Sequence, residues 1–244
     1  MVRIPASERV ILALDVDSKT RAQELVKRFS DSVEFFKVGS ELFTAAGPSI
    51  VEWIHERGKK VFLDLKYHDI PNTVAKAAVQ ATKLSVEMFN VHASGGFAMM
   101  KRTAEKVVET SLKYNLPKPK IVAVTVLTSI SDEEFKKELG FQHSIRTQVK
   151  HLTSMALKAG LDGVVASAHE ASILRQKFGN DFIIVTPGIR PEWMPPDDQK
   201  RTVTPREAMR MGASYIVVGR AVLSQEEPER ALELILLEVT TGSV

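Results

Sequence analysis

No cysteine occurs in the 244 residues, which excludes disulfides, thiolate metal sites and a cysteine nucleophile. Any chemistry must therefore use oxygen and nitrogen groups. No apolar run approaches the roughly 20 residues needed to cross a bilayer, so a membrane protein is not expected. Charge is not massed either. The formal net charge is +3, and the 33 Lys and Arg are scattered, which argues against a nucleic-acid partner while suiting a small phosphorylated substrate. The six histidines form no HExxH and no paired metal spacing. The N-terminal stretch MVRIPASERVILALD reaches Asp15 and Asp17 without a long apolar core or a small-residue cleavage site, so a cytoplasmic location is expected.

No Ser/Gly linker or change of composition divides the chain, and 44% hydrophobic residues over this length can fill one core. One soluble domain over residues 1–244 is expected, with two small domains the alternative on length alone. What fills the sequence is an alternation. Short β-branched runs are followed by longer segments of helical period, at 10–15, 33–39, 60–66, 86–92, 120–126, 161–167, 181–186 and 213–219. Eight βα units in this length predict a (β/α)₈ TIM barrel. A doubly wound open sheet is the alternative, but no GxGxxG turn follows the first run. SKTRAQELVKRF and PSIVEWIHERG read as amphipathic helices, the second ending at Gly58 where a left-handed cap would sit. Residues 187–205 carry too many prolines for a helix and read as a lid.

In such a barrel the chemistry sits at the C-terminal ends of the strands. Polar residues cluster there: Asp15 closes the first run, Lys37 the second, Asp64 and Lys66 the third, with Asp69 just beyond. Asp64 and Lys66 are two apart on a strand and share a face. Singly, each could be a solvated loop charge or an ordinary ion pair. Together, two ammonium groups and two carboxylates at one mouth would perturb each other's protonation, as working sites do. The last two runs end in Gly188, Ile189, Arg190 and in Gly219, Arg220, where barrels often hold a phosphate on backbone N–H groups. The alternative is that these glycines only make tight turns and the arginines face solvent. His68 and His92, near strand ends, suit packing or hydrogen bonding; His55, His143, His151 and His169 read as surface residues on helices. Trp53 reads as core, Trp193 as a loop anchor, and Met99 and Met100 as helix packing.

The segment VFLDLKYHDIPNTV at 61–74 closely resembles the signature of orotidine 5′-monophosphate decarboxylases. FKVGSELF, NVHASGG, VTVLTS, VTPGIR, DQKR and VVGR are similar to that family's other landmarks in the same order, so the likeness runs from residue 15 to residue 220. A DxKxxD run alone is shared with 3-keto-L-gulonate 6-phosphate decarboxylase and hexulose 6-phosphate synthase. Those relatives place an acidic metal ligand where this chain has Lys37, and a second ammonium is a poor neighbour for Mg²⁺.

The resemblance implies conversion of orotidine 5′-monophosphate to uridine 5′-monophosphate without metal or cofactor. It implies a tetrad of Lys37, Asp64, Lys66 and Asp69, with Lys66 stabilising and protonating the C6 carbanion. It further implies a homodimer in which Asp69 and Thr73 reach the partner's site. Asp15, Lys37 and Thr73 would hold the ribose, Thr128 and Ser129 the base, and Arg190, Gln199, Gly219 and Arg220 the phosphate. Two other readings stay open on the residues alone: a metal-dependent sugar-phosphate lyase, and a catalytically silent phosphate-binding barrel.

Overall fold

Each of the eight β-branched runs coincides with one strand of a closed parallel barrel in the computed structural model, the third strand extending one residue beyond its run; the model describes residues 5–194 and 203–242. The strands are β1 (Val10–Ala13), β2 (Phe35–Gly39), β3 (Lys60–Tyr67), β4 (Met88–His92), β5 (Lys120–Val124), β6 (Gly163–Val165), β7 (Ile183–Thr186) and β8 (Tyr215–Val218). Strand β8 pairs with β1, Val10 opposite Ile216, so the sheet closes and the open doubly wound alternative is excluded. The helices are α1 (Ala6–Arg9), α2 (Lys19–Phe29), α3 (Ser40–Ala46), α4 (Ser49–His55), α5 (Pro71–Lys83), α6 (Phe97–Tyr114), α7 (Asp132–Lys137), α8 (Ile145–Lys158), α9 (Ala168–Phe178), α10 (Pro205–Arg210), α11 (Arg220–Leu223) and α12 (Pro228–Gly242). Among the described residues, no helix is long and apolar enough to cross a membrane.

The core has two layers because alternate strand residues point to opposite faces. Ile11, Phe35, Phe62, Met88, Val122, Val185 and Tyr215 pack inside the barrel. Their neighbours of opposite parity, such as Leu12, Phe36, Leu63 and Phe89, face outward under the helices, where Leu25 of α2 and Ile54 of α4 meet them. Burying one such side chain stabilises the fold by about 1.5–3 kcal/mol, so the two layers are the main adhesive of the barrel. Local signals set the helix ends. The Ser18 hydroxyl accepts from the Arg21 N–H at 3.4 Å to start α2. Beyond α4, Gly58 takes φ 68° and its N–H donates to the His55 carbonyl at 2.8 Å, the left-handed stop that its position predicts.

Some expectations change. Residues 187–205 are tied across their ends by a parallel bridge between Ile189 and Val203, with the Arg190 N–H donating to the Val203 carbonyl at 3.0 Å. Pro205 already opens α10, behind a capping box of Thr204 and Glu207. His143 sits in the loop before α8 and not on a helix, its ring edge-on to Phe135 and Phe141. His55 is half-buried at the end of α4, its Nε2 lying 3.5 Å from Glu87. Trp53 is only partly buried, packed on the core with the Arg57 guanidinium over its ring. Met99 and Met100 are fully buried, as helix packing requires.

Candidate active site

The parity that fills the barrel interior also delivers polar groups to its upper end. On β2 the inward series is Phe35, Lys37, Gly39; on β3 it is Phe62, Asp64; on β4 it is Met88, Asn90. In each of these series a large apolar side chain is followed by a polar one or, on β2, by a lysine and then a glycine. Lys37 and Asp64 are each 8% exposed, so their charges need partners close by. The Lys37 ammonium lies 2.7 Å from Asp15 Oδ1 and 3.3 Å from Asp64 Oδ2. The other Asp64 oxygen takes the Lys66 ammonium at 2.8 Å and the Asn90 Nδ2 at 2.6 Å. Asp64 is thus a bridge between two ammonium groups. Burial alone would lower the Lys37 pKa, but the neighbouring charges of Asp64 and Asp15 and their hydrogen bonds outweigh it, and the net shift is upward.

Space beside this ion pair is tight at Gly39. A Cβ on Gly39 would stand 3.1 Å from the Lys37 ammonium and 3.4 Å from Asp15, so any side chain there would press on the ion pair.

Lys66 is held in an unusual way. Its backbone has φ 51°, in the left-handed region, which costs a non-glycine residue about 1–3 kcal/mol. The strain coincides with a break in register: Leu63 pairs with Phe89 but Tyr67 with Val91, so β3 carries two extra residues against β4. The Lys66 N–H, taken out of the ladder, donates to the Asn90 side-chain oxygen at 2.7 Å. Just beyond, the His68 and His92 rings lie 5.3 Å apart. Burial, then the nearby His68 and Lys66 charges, push the His92 pKa down, which keeps that imidazole neutral. Burial also pushes the Tyr67 phenol up to about 12.

Two adjoining cavities open over these groups. One, of about 200 Å³, has Lys37, Asp64, Lys66 and Asn90 on one side and apolar walls from Phe62, Val124 and Val185, with Thr128 at its rim. The second, of about 410 Å³, is lined by Asp15, Arg21, Gly188, Gly219 and Arg220. Lys37, Pro187 and Val217 line both, so the two form one divided groove. Its shape suits a flat, largely apolar ring beside a polar, anionic arm.

Of the residues expected in the site, Asp15, Lys37, Asp64, Lys66, Thr128, Gly219 and Arg220 line this groove. Asp69 does not join them. It is exposed, its carboxylate accepts from the Ile70 N–H at 2.6 Å, and among the described residues no ion pair links it to Lys37 or Lys66. Thr73, in the first turn of α5, and Ser129, in the turn after β5, are likewise exposed. Arg190 lies on the bridge between Ile189 and Val203, and Gln199 falls outside the described residues. Two groove residues escape a reading of strand ends alone: Arg21, on α2, and Asn90. The signal for Asn90 was present as a polar residue in an apolar strand, at the parity that faces inward.

Comparison with known proteins agrees with this geometry. Residues 8–235 match the family described as "Orotidine 5′-phosphate decarboxylase / HUMPS family". The chain belongs to this family. A relative from Moorella thermoacetica, named orotidine 5′-phosphate decarboxylase, is 47% identical over 98% of this chain and 95% of its own length. One of the same name from Geobacter metallireducens is 46% identical over 99% of this chain and 100% of its own. The crystal structure of orotidine 5′-phosphate decarboxylase from Lactobacillus acidophilus superposes with a TM-score of 0.83 at 38% identity, covering 95% of this chain and 99% of that one.

Proposed function

We propose that this member of the family removes CO₂ from orotidine 5′-monophosphate to give uridine 5′-monophosphate, the decarboxylation step of pyrimidine biosynthesis. The observation that carries the reading is the Asp64 carboxylate bridging Lys37 and Lys66 at an apolar-walled cavity, beside a second cavity edged by Gly188, Gly219 and Arg220. The pyrimidine fits the first, with Thr128 and Ser129 at its edge. The ribose falls at the boundary near Asp15 and Lys37, and the phosphate in the second, reached by Gly219, Arg220, Arg190 and Gln199.

The C6–carboxylate bond breaks with its electron pair left on C6, in the plane of the ring, where the ring carbonyls cannot delocalise it. Stabilisation must come from outside the substrate. A preorganised ammonium at C6 supplies it electrostatically, and such contributions are commonly the largest in catalysis. Lys66 takes this role. It then gives a proton to C6 as CO₂ departs, and is reprotonated from solvent. Asp64 keeps Lys37 charged, since an opposite charge within about 4–6 Å favours the ionised form, and it aims both ammonium groups. The reading assigns no metal: the Lys37 ammonium, held between Asp15 and Asp64, is a poor neighbour for a divalent cation. Asp69 and Thr73 act across the interface of a homodimer, which their exposure on this chain allows. All of this is assigned to one cytoplasmic domain spanning residues 1–244.

The test is the ultraviolet absorbance change on mixing purified protein with orotidine 5′-monophosphate in excess EDTA, with Lys66→Ala as control. Rapid conversion by the wild type, reduced by about 10⁴-fold or more in the control, is expected. Folded wild-type protein that converts nothing, but turns over a sugar phosphate once Mg²⁺ is added, would overturn the assignment.

A further inference from the structure

We propose that Asn90 is a positioning residue for the decarboxylation, its single carboxamide setting both the backbone of Lys66 and the carboxylate of Asp64. The inference rests on the function assigned to Lys66 above. Asn90 is 1% exposed and sits at the inward parity of β4, below the charged groups and out of solvent. Its two ends do separate work. The oxygen accepts from the Lys66 N–H at 2.7 Å, at the left-handed residue where β3 has slipped its register against β4. The nitrogen donates at 2.6 Å to Asp64 Oδ1, the same oxygen that holds the Lys66 ammonium at 2.8 Å. Lys66 is thereby fixed at both its root and its tip by one rigid group.

A strained backbone persists only where its surroundings over-determine it. Here the ladder has released the Lys66 N–H, and the Asn90 oxygen is what replaces it. Without that acceptor the half-buried N–H would lose its partner, and relaxation of the bulge would move Lys66 away from its place over the cavity. A donor is equally needed on the other side, because Asp64 must divide its two oxygens between Lys37 and Lys66 without rotating. Other side chains fit poorly. Leucine or methionine supplies neither bond, and serine is too short to span both.

The test compares Asn90→Ala and Asn90→Asp with wild type in steady-state decarboxylation, with binding of uridine 5′-monophosphate as the check on folding. Asn90→Ala is expected to lower kcat by about 100-fold, the cost of a displacement near 1 Å at the reacting centre, while KM stays within about threefold. Asn90→Asp has the shape of the amide and mimics it only when protonated, offering one O–H donor and one acceptor. The introduced carboxyl would face Asp64 and Lys66 from β3, Lys37 through Asp64 from β2, and His92 and His68 at the strand ends; β5, alongside, presents only Val122 and Val124. Two adjacent carboxyls share a proton that leaves at raised pH. The ratio of Asn90→Asp to wild-type kcat should therefore fall as pH rises from about 5 to about 9. If Asn90→Ala keeps wild-type kcat, or if the Asn90→Asp profile runs parallel to wild type at any height, the inference is wrong, and the second criterion stands even if Asn90→Ala does not fold. A wild type that leaves orotidine 5′-monophosphate unchanged overturns the functional reading as well, so the two failures are told apart.

Discussion

At the scale of single residues, the site depends on a lysine that is buried and yet charged. Lys37 has its pKa raised in the folded chain because Asp64 and Asp15 outweigh the cost of burying it. In the unfolded chain it would titrate near the ordinary lysine value of about 10.4. A base whose folded pKa lies above its unfolded one stabilises the fold fully at pH values below the unfolded pKa, and that contribution is lost as pH rises through the folded one. Urea unfolding of wild type and Lys37→Met between about pH 9 and pH 12 should thus show a steeper downward slope in the wild type than in the variant, in which Tyr67 and Lys60, both raised in the fold, still contribute. Equal slopes would mean that the pair contributes nothing to folding. Most of this residue-level picture is legible in the sequence, because Asp15, Lys37, Asp64 and Lys66 all sit at strand ends where charge is out of place. Asn90 is not legible by that rule. It lies inside its strand, and what marks it is its polarity in an apolar run, two residues after the inward-facing Met88.

At the scale of elements, the period of the hydrophobic pattern carries the eight strands and the helices α2 and α4. The short helices α3, α7 and α11 are too brief to show a period, and the slip between β3 and β4 leaves no mark, since lysine is not a residue that favours a left-handed backbone. The same blindness applies to Gly163. In sequence it is a glycine in a strand, which could mean a bulge or a close approach. In the barrel it is a close approach: a Cβ there would meet the Ile183 carbonyl oxygen at 2.1 Å, so β6 cannot accept one without moving away from β7. Gly163→Ala should lose about 3 kcal/mol or more, at the upper end of overpacking costs, because the obstacle is backbone and not a flexible side chain. Urea denaturation would register this as a lower midpoint at an unchanged m-value. A loss below about 1 kcal/mol would show that the strand pair is softer than its hydrogen bonds suggest.

At the scale of the whole molecule, one chain holds an unequal share of the expected tetrad. Lys37, Asp64 and Lys66 converge, while Asp69 lies on the surface next to Ile70, which is 66% exposed. An apolar side chain so exposed, three residues after a half-buried strand end, is what an interface would cover. If the homodimer forms across this surface, as proposed, Asp69 of each chain completes the other chain's site. In a two-fold dimer the same patch meets itself, so both sites are completed at once. Mixing inactive Lys66→Ala and Asp69→Ala proteins then gives a sharp expectation. In a hybrid dimer one site carries both lesions, whereas the other has an intact Lys66 from one chain and an intact Asp69 from its partner. Random exchange makes half of the dimers hybrids, so activity should return to about one quarter of the wild-type value per chain. Exchange can be followed with a tag on one partner, independently of activity. Hybrids that form but stay inactive would return Asp69 to its own chain, and the exposed position in this structure would then have to change on substrate binding.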